Sequence, residues 1–506
     1  MKNKIGKGAL ILLASGLICK VLGALFRLPL TNLIGIEGIG VFQLVMALYS
    51  FALVITCGGI TTSLSKLISS ARARKDYRKI KTYLSRALIV GVGIGFALGV
   101  VFLIFGKKIS LFQGIESNNS YYLFVFLLPL GAGLSALRGF FQGYENMLPT
   151  AVSQVVEQVF KFAFGLLFAF FFAKKSVANG VFGAFLGITL SEVVALLFLS
   201  TVYLLRRKKH FPKFDLAKLK FARKEFDMAN FPLTLSASIL PLVNAFDGLV
   251  IVPRLVQAGF SNSVATQLFG LQSGVVGAIL NFPLIISMAV TTALLPNISY
   301  TISRGIAGRT MVEKGFRALF YLILPTTFGV VAISKQVFDL VYVDMSAELL
   351  EIAFNLMLFG AFSIIFTAVM QYLVMLLQAN GQFSYILIIT SIGGLVKAVL
   401  SYSLAAVSAI NIFALVVGNI ALMSIVSILA LIKLKRLMIF KINFLELFNL
   451  IFATALMFLT VYTFINCNYF SSLANIVLAV LLGVLVYFVF TLSFLIKMKK
   501  VSKKEY

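Results

Sequence analysis

The chain has 506 residues, of which 60% are hydrophobic and only 12% charged, about half the charged fraction of an ordinary soluble domain. Its net charge of +27 does not point to nucleic acid, because the basic residues fall in short segments at 72–81, 206–224, 433–441 and 497–504, each beside or between apolar runs; an electrostatic footprint for nucleic acid follows one continuous face. Apolar runs of about 20 or more residues recur from end to end, each long enough to cross a hydrocarbon core of roughly 30 Å, and the alternating segments of a transmembrane barrel are missing.

These runs predict an all-α, polytopic membrane protein with about fourteen spans, at 7–34, 39–69, 83–106, 119–143, 149–173, 180–205, 228–259, 263–296, 314–335, 347–378, 382–408, 411–437, 443–466 and 472–497. The N-terminal "MKNKIGKGALILLASGLICK" is basic and then apolar. It lacks a small-residue cleavage site before the next apolar segment, so it reads as a retained first helix. Fourteen is even, which puts both termini on one side. The segments facing the other side keep only Lys107, Lys108, Lys174, Lys175 and Lys335. Basic loops stay in the cytoplasm, so the expectation is a multi-pass plasma-membrane protein with both termini cytoplasmic.

The chain also aligns with itself. "FQGYENMLPTAVSQVVEQVFK" (141–161) matches "LQANGQFSYILIITSIGGLVK" (377–397) at an offset of 236, pairing Gln142 with Gln378 and Lys161 with Lys397. "LSKLIS" and "RAL" (64–69, 86–88) match "LPNISY" and "RAL" (295–300, 317–319) at an offset of 231. An offset of six helices preserves orientation, which makes this a parallel repeat. The predicted organisation is an N-lobe at 1–205, a basic cytoplasmic linker at 206–227, a C-lobe at 228–437, and helices 13 and 14 with a basic tail at 438–506.

Eight ionisable residues fall well inside these spans: Lys20, Arg27, Glu157, Lys161, Glu192, Asp247, Arg254 and Lys397. Facing lipid, each would cost about 2.5–3.5 kcal/mol on insertion scales, so each must pair or line a wet cavity. Glu157 and Lys161 stand four apart with the acid first, the favourable order for a structural pair within one helix. Lys397, the repeat equivalent of Lys161, has Gly393 in the position of that glutamate. Lys20 and Arg27 are seven apart, as are Asp247 and Arg254, so each couple shares a helix face. Pro29, just beyond Arg27, allows a break that would open backbone groups to a cavity. Five of the eight are positive and three negative, a balance that suits an anionic substrate such as a diphosphate. The alternative is that every cation finds an acidic or carbonyl partner. Arg138, near the cytoplasmic end of the fourth span, is read as reaching to the interface, and Glu145 as a solvated turn residue.

Enzyme and nucleotide chemistry find no support. His210 is the single histidine, Cys19, Cys57 and Cys467 are isolated, and no Walker-type phosphate loop, H-E-x-x-H or G-x-S-x-G run occurs. The glycines of "VGVGIGFALG" (90–99) are read as helix-packing positions. No cofactor is expected, and Na+ or H+ are the candidate coupling ions.

Three stretches carry a family resemblance: "VLGALFRLPLTNLIGIEGIGVFQ" (21–43), "LRGFFQGYENMLPTAVSQVVEQ" (137–158) and "NFPLIISMAVTTALLPNIS" (281–299). They resemble the stage V sporulation protein B and MurJ-type flippases, the polysaccharide-exporter branch of the multidrug/oligosaccharidyl-lipid/polysaccharide (MOP) superfamily, over about residues 5–440. The resemblance implies two six-helix lobes around a central cationic cavity. It also implies transport of undecaprenyl-diphosphate-linked sugars for polysaccharide or peptidoglycan synthesis, the sugar carrier in the MurJ type being lipid II. Lys20 and Arg27 match the two basic positions of the family's first helix, and Asp247 and Arg254, in "NAFDGLVIVPRLVQAGFS", resemble the acidic and basic positions of helix 7. The chain departs from other MurJ-like proteins in having no arginine before Pro283 and, in its second span, only Lys66, near the end.

The leading expectation is thus a secondary-active flippase for a lipid-linked anionic glycan, with membrane lipid around it and no nucleic acid or nucleotide partner. Lys20, Arg27, Arg254 and Lys397 are the expected diphosphate contacts, and Asp247 and Glu192 the expected coupling carboxylates. A multidrug or cation antiporter would need an acidic cavity. A non-transporting scaffold would have no use for charges at depth, and an integral glycosyltransferase would need larger acidic outward loops.

Overall fold

The computed structural model describes residues 2–115, 118–210, 219–303, 309–342, 345–437, 444–467 and 471–502, and among these there is no β-strand. Thirteen helical segments among the described residues are long and apolar enough to cross a membrane. The first, Leu10–Ala73, runs 64 residues, roughly 96 Å if straight, and takes the place of the first two predicted spans. It takes in α1 (Lys2–Cys57) from Leu10 onward and α2 (Ile60–Ala73).

The break in α1 falls at Gly35, with φ 74° and ψ 174°, within the predicted connection at 35–38. Only glycine enters that backbone region freely. Pro29, the predicted break, stays inside the helix. Two residues on, Thr31 donates its hydroxyl to the Arg27 carbonyl at 2.8 Å.

α3 (Tyr77–Phe112), α4 (Phe124–Gly143), α5 (Met147–Ala173) and α6 (Val177–His210) follow the predicted spans, with Asp76 capping α3 through the Lys79 amide. The glycines expected to pack do so at Gly99, where an added Cβ would lie 2.4 Å from the Val125 Cα. α7 (Leu219–Gln257) is fastened at its start to α3 by ion pairs from Lys79 to Glu225 at 3.2 Å and from Arg86 to Asp227 at 2.9 Å. The eighth predicted span is α8 (Asn262–Gly270), a π-helical turn at Leu271–Val276, and α9 (Gly277–Ser303). Gln43 of α1 donates to the Ser273 carbonyl in that turn at 3.2 Å.

The remaining helices are α10 (Arg309–Ala332), the short α11 (Ser334–Val341), α12 (Ala347–Ala379), α13 (Phe383–Ala405), α14 (Phe413–Leu437), α15 (Phe444–Asn466) and α16 (Ser472–Ser502). By contact the chain divides into Met1–Gly274 with Ala398–Ala414, and Val275–Lys397 with Leu415–Tyr506, so one boundary lies within the π-turn. Of the predicted linker at 206–227, residues 211–218 lie outside the described residues, and α6 and α7 run into its two ends.

The core of the first unit gathers Leu64, Leu84, Phe140, Phe141, Leu199 and Phe226 from α2, α3, α4, α6 and α7. In the second unit, Tyr372 of α12 donates to the Val312 carbonyl of α10 at 2.6 Å, and Arg317 pairs with Glu446 at 3.2 Å.

The repeat at offset 236 is written in the backbone. Between α4 and α5, the amides of Tyr144, Glu145 and Asn146 donate to the carbonyls of Phe140, Gln142 and Phe141. Between α12 and α13, those of Asn380, Gly381 and Gln382 donate to Leu376, Gln378 and Leu377, the same three bonds 236 residues later. Both turns put their middle residue in the left-handed region, Glu145 at φ 59° and Gly381 at φ 71°. Lys161 is the fifteenth residue of α5 counted from Met147, and Lys397 the fifteenth of α13 counted from Phe383. The alignment at offset 231 reaches residues 296, 297 and 300, about whose side chains nothing is described.

Candidate functional site

A buried polar cluster lies where α1, α4, α5 and α6 meet in the first unit. Arg138 of α4 directs Nη2 at Glu157 Oε2 of α5 at 2.7 Å, and its Nε donates to Ser153 Oγ at 3.1 Å. Both side chains of the pair are largely shielded, at 15% and 21% exposure. On α6, Glu192 is buried and accepts a hydrogen bond from the Tyr49 hydroxyl of α1 at 2.6 Å. Its second oxygen, Oε2, is buried with no hydrogen-bond partner. Lys161 places its ammonium 5.5 Å from the centre of the Phe26 ring, and Glu157, Arg27 and Glu192 act on it electrostatically.

This geometry corrects two sequence readings. Glu157 does not form its ion pair with Lys161; its carboxylate is taken by Arg138 from the neighbouring helix. The i, i+4 spacing does bring the lysine close, but a planar guanidinium offers directed donors that a carboxylate prefers, and Ser153 holds that guanidinium in place. Arg138, expected to reach outward to the interface, instead turns inward to this pair. Glu145, by contrast, is exposed, with Arg72 3.7 Å away, as expected of a solvated turn.

The other predicted residues are placed as follows. Lys20 is exposed on α1 and Arg27 half-buried. Asp247 of α7 is buried, as is Lys397 of α13 in the second unit. Arg254 lies in the last turn of α7 and not at mid-helix. Its Nε donates to the Tyr402 carbonyl at 2.9 Å, its guanidinium stacks 4.2 Å from the Tyr402 ring, and Nη1 donates to Gln257. So Arg27, Glu157, Lys161 and Glu192 come together with Arg138, while Arg254 is held elsewhere by its own partners.

Sequence reasoning missed Tyr49 and Gln113. Gln113 is fully buried and donates to the Gly248 carbonyl beside Asp247 at 2.8 Å, while accepting from Tyr121. An amide at the end of an apolar run was the available signal for Gln113. Nothing in the spacing of Tyr49 marks it as the partner of a residue 143 positions away.

A bundle of long apolar helices with charges gathered at buried positions defines a polytopic membrane protein with a transporter fold. The chain belongs to the family described as "Polysaccharide biosynthesis protein", which matches residues 5–302 and so contains the three stretches that carry the resemblance. Stage V sporulation protein B of Bacillus subtilis (strain 168) is 29% identical over 303 residues, 59% of this chain and 58% of that protein's length. Lipid II flippase MurJ of the same organism is 24% identical over 434 residues, 80% of this chain and 78% of that protein. Among solved structures, lipid II flippase MurJ in an inward closed conformation superposes with a TM-score of 0.71 at 13% identity, covering 96% of this chain and 98% of the other.

Proposed function

We propose that this chain is a secondary-active flippase that moves an undecaprenyl-diphosphate-linked glycan precursor, lipid II or a polysaccharide repeat unit, from the inner to the outer leaflet. The observation that carries the reading is the surplus of positive charge in the buried cluster. Arg27, Arg138 and Lys161 stand against Glu157, which is committed to Arg138, and Glu192, which also acts on Lys161, a balance of one positive charge. A net positive cluster at depth favours the approach of an anion, and a diphosphate is one. A multidrug antiporter for cations would be repelled by the same surplus. The first diphosphate contacts are assigned to Lys20, Arg27 and Lys397. Arg254 would join only by exchanging its bonds to Tyr402 and Gln257.

With no nucleotide motif in the chain, the work is assigned to an ion gradient or to the membrane potential. Asp247 and Glu192 are the buried carboxylates to which Na+ or H+ coupling is assigned. In this reading 1–205 and 228–437 are the two repeated lobes, and both termini face the cytoplasm of the cell that builds the wall polymer.

The test is complementation of a strain depleted of its lipid II flippase, paired with translocation of lipid II in vesicles holding the purified chain under imposed Na+ or H+ gradients. Rescue that is lost in Lys20→Ala and Arg27→Ala at normal membrane levels is expected. Full activity of both variants would remove the diphosphate assignment, and no rescue together with no translocation would remove lipid II as the substrate.

A further inference from the structure

A cleft of about 450 Å³ opens beside the break in α1, lined also by the end of α3, the start of α6 and the start of α8. All its lining residues belong to the first unit, and none belongs to the buried charge cluster. Its polar wall is Glu37, Asn118, Asn262 and Ser263; Val41, Leu111 and Val177 supply apolar surface.

The polar groups are held in place. Glu37, two residues past the break at Gly35, accepts from Ser263 Oγ through Oε2 at 2.7 Å, which leaves Oε1 as an acceptor. Gly114, at φ 75°, brings the α3 end close to Asn262, where an added Cβ would lie 3.0 Å from Oδ1. Asn118 is 2% exposed; its amide donates to Ser110 Oγ at 3.1 Å and its Oδ1 accepts from the Ser120 amide at 2.9 Å. The first bond holds the Asn118 backbone and the second its carboxamide, whose Nδ2 is buried with no hydrogen-bond partner. An orphaned buried donor costs about 1–3 kcal/mol, and this one belongs to a residue that lines the cleft.

The chemistry selects the ligand. Among the described residues no basic side chain lines the cleft and Glu37 is the one formal charge, so a diphosphate is disfavoured here. Carboxylate, carboxamides and hydroxyl together offer both acceptors and donors, which matches sugar hydroxyl and acetamido groups. The apolar residues match the C–H face of a sugar ring, and the volume lies in the range of small-molecule sites, about 300–1,000 Å³. We propose that this cleft binds one or two uncharged, hydroxyl-rich sugar units, separately from the diphosphate contacts. The flippase reading supplies only the identity of the natural sugar.

The chain contains no tryptophan, so Val177→Trp at the rim makes a single fluorescent reporter. Titrating the purified full chain carrying that change with N,N′-diacetylchitobiose should give a saturable fluorescence change. Glu37→Gln and Asn262→Ala should each weaken the binding at least tenfold, with thermal unfolding in detergent verifying that the variants are folded. If one variant aggregates, the other decides. Absence of a saturable change overturns the proposal, as does unaltered affinity in the folded variants, or a response to choline but not to the saccharide. Vesicle translocation on the same protein separates the two readings. Translocation without saccharide binding removes the cleft alone; saccharide binding without translocation or rescue removes the flippase reading alone.

Discussion

The α4–α5 and α12–α13 hairpins have the same turn, bond for bond, and different charges. In the first, Arg138, Glu157 and Lys161 share one buried neighbourhood. At the same offset of 236, the second carries Val374, Gly393 and Lys397. The arginine and the glutamate are both absent from the second copy, and only the lysine is common. This pattern makes chemical sense, because deleting one member of a buried ion pair is the costly change while deleting both is tolerated. Sterics also leave no room for an acid at that position. A Cβ at Gly393 would sit 2.8 Å from Val426 Cγ2 and 3.1 Å from the Leu422 carbonyl, so α14 has closed over the space that Glu157 uses in the first hairpin.

The largest effect expected from this comparison follows from forcing the second hairpin to resemble the first. Gly393→Glu adds both an overlap with α14 and a buried charge, and should cost more than about 4 kcal/mol, the range reserved for core disruption. Folded protein recovered in detergent should fall below detection by size exclusion. Wild-type yield would show that α13 and α14 can part easily, and the steric account would be wrong.

Next in size is the pair itself. Glu157→Gln and Arg138→Met should each destabilise the chain by about 3 kcal/mol, because each strands a shielded charge, whereas the double change Arg138→Met with Glu157→Leu should recover most of that loss. The measurement is a double-mutant cycle on thermal unfolding. Additive losses would mean that the 2.7 Å contact contributes no coupling.

Lys161→Met belongs below these. The lysine is not the glutamate's ion-pair partner, so its removal should shift stability by less than about 1 kcal/mol while removing flippase rescue, and Lys397→Met should likewise lose rescue at normal membrane levels. A large drop in unfolding temperature for Lys161→Met, equal to that of Glu157→Gln, would restore the lysine to a structural role.

These differences also show what a sequence can disclose. Apolar run length located the spans because crossing a bilayer is a local requirement of a segment. The offset of 236 was readable because two turns needed the same backbone, and the connection at 35–38 was readable as a gap in apolarity around Gly35. The partner of Glu157 was not readable. Two cations were within plausible reach, one on the same helix and one on another, and only the packing of α4 against α5 decides between them. Arg254 misled for a related reason. Its predicted depth depended on where α7 ends, and a helix end depends on a few local bonds, here followed by Gly259 at φ 103°. Tyr49 and Glu192 meet only because α1 and α6 cross, and no periodicity within either helix encodes that.

The smallest expected effect concerns the turns. Glu145 pays for a left-handed backbone that Gly381 adopts freely, a difference of about 1 kcal/mol. Glu145→Gly should recover it, less whatever the exposed contact with Arg72 contributes; with side chains 42% and 61% exposed at 3.7 Å, that is about 0–0.5 kcal/mol. Glu145→Ala separates the two contributions, since it removes the carboxylate and keeps the strained backbone. Glu145→Gly should therefore melt above wild type, Glu145→Ala at or slightly below it, and Gly381→Ala clearly below, with the gap between the first two variants close to the loss in the third. If Glu145→Gly melts no higher than Glu145→Ala, the left-handed residue is not the costly feature of the first turn. The two hairpins would then share hydrogen bonds without sharing their backbone energetics.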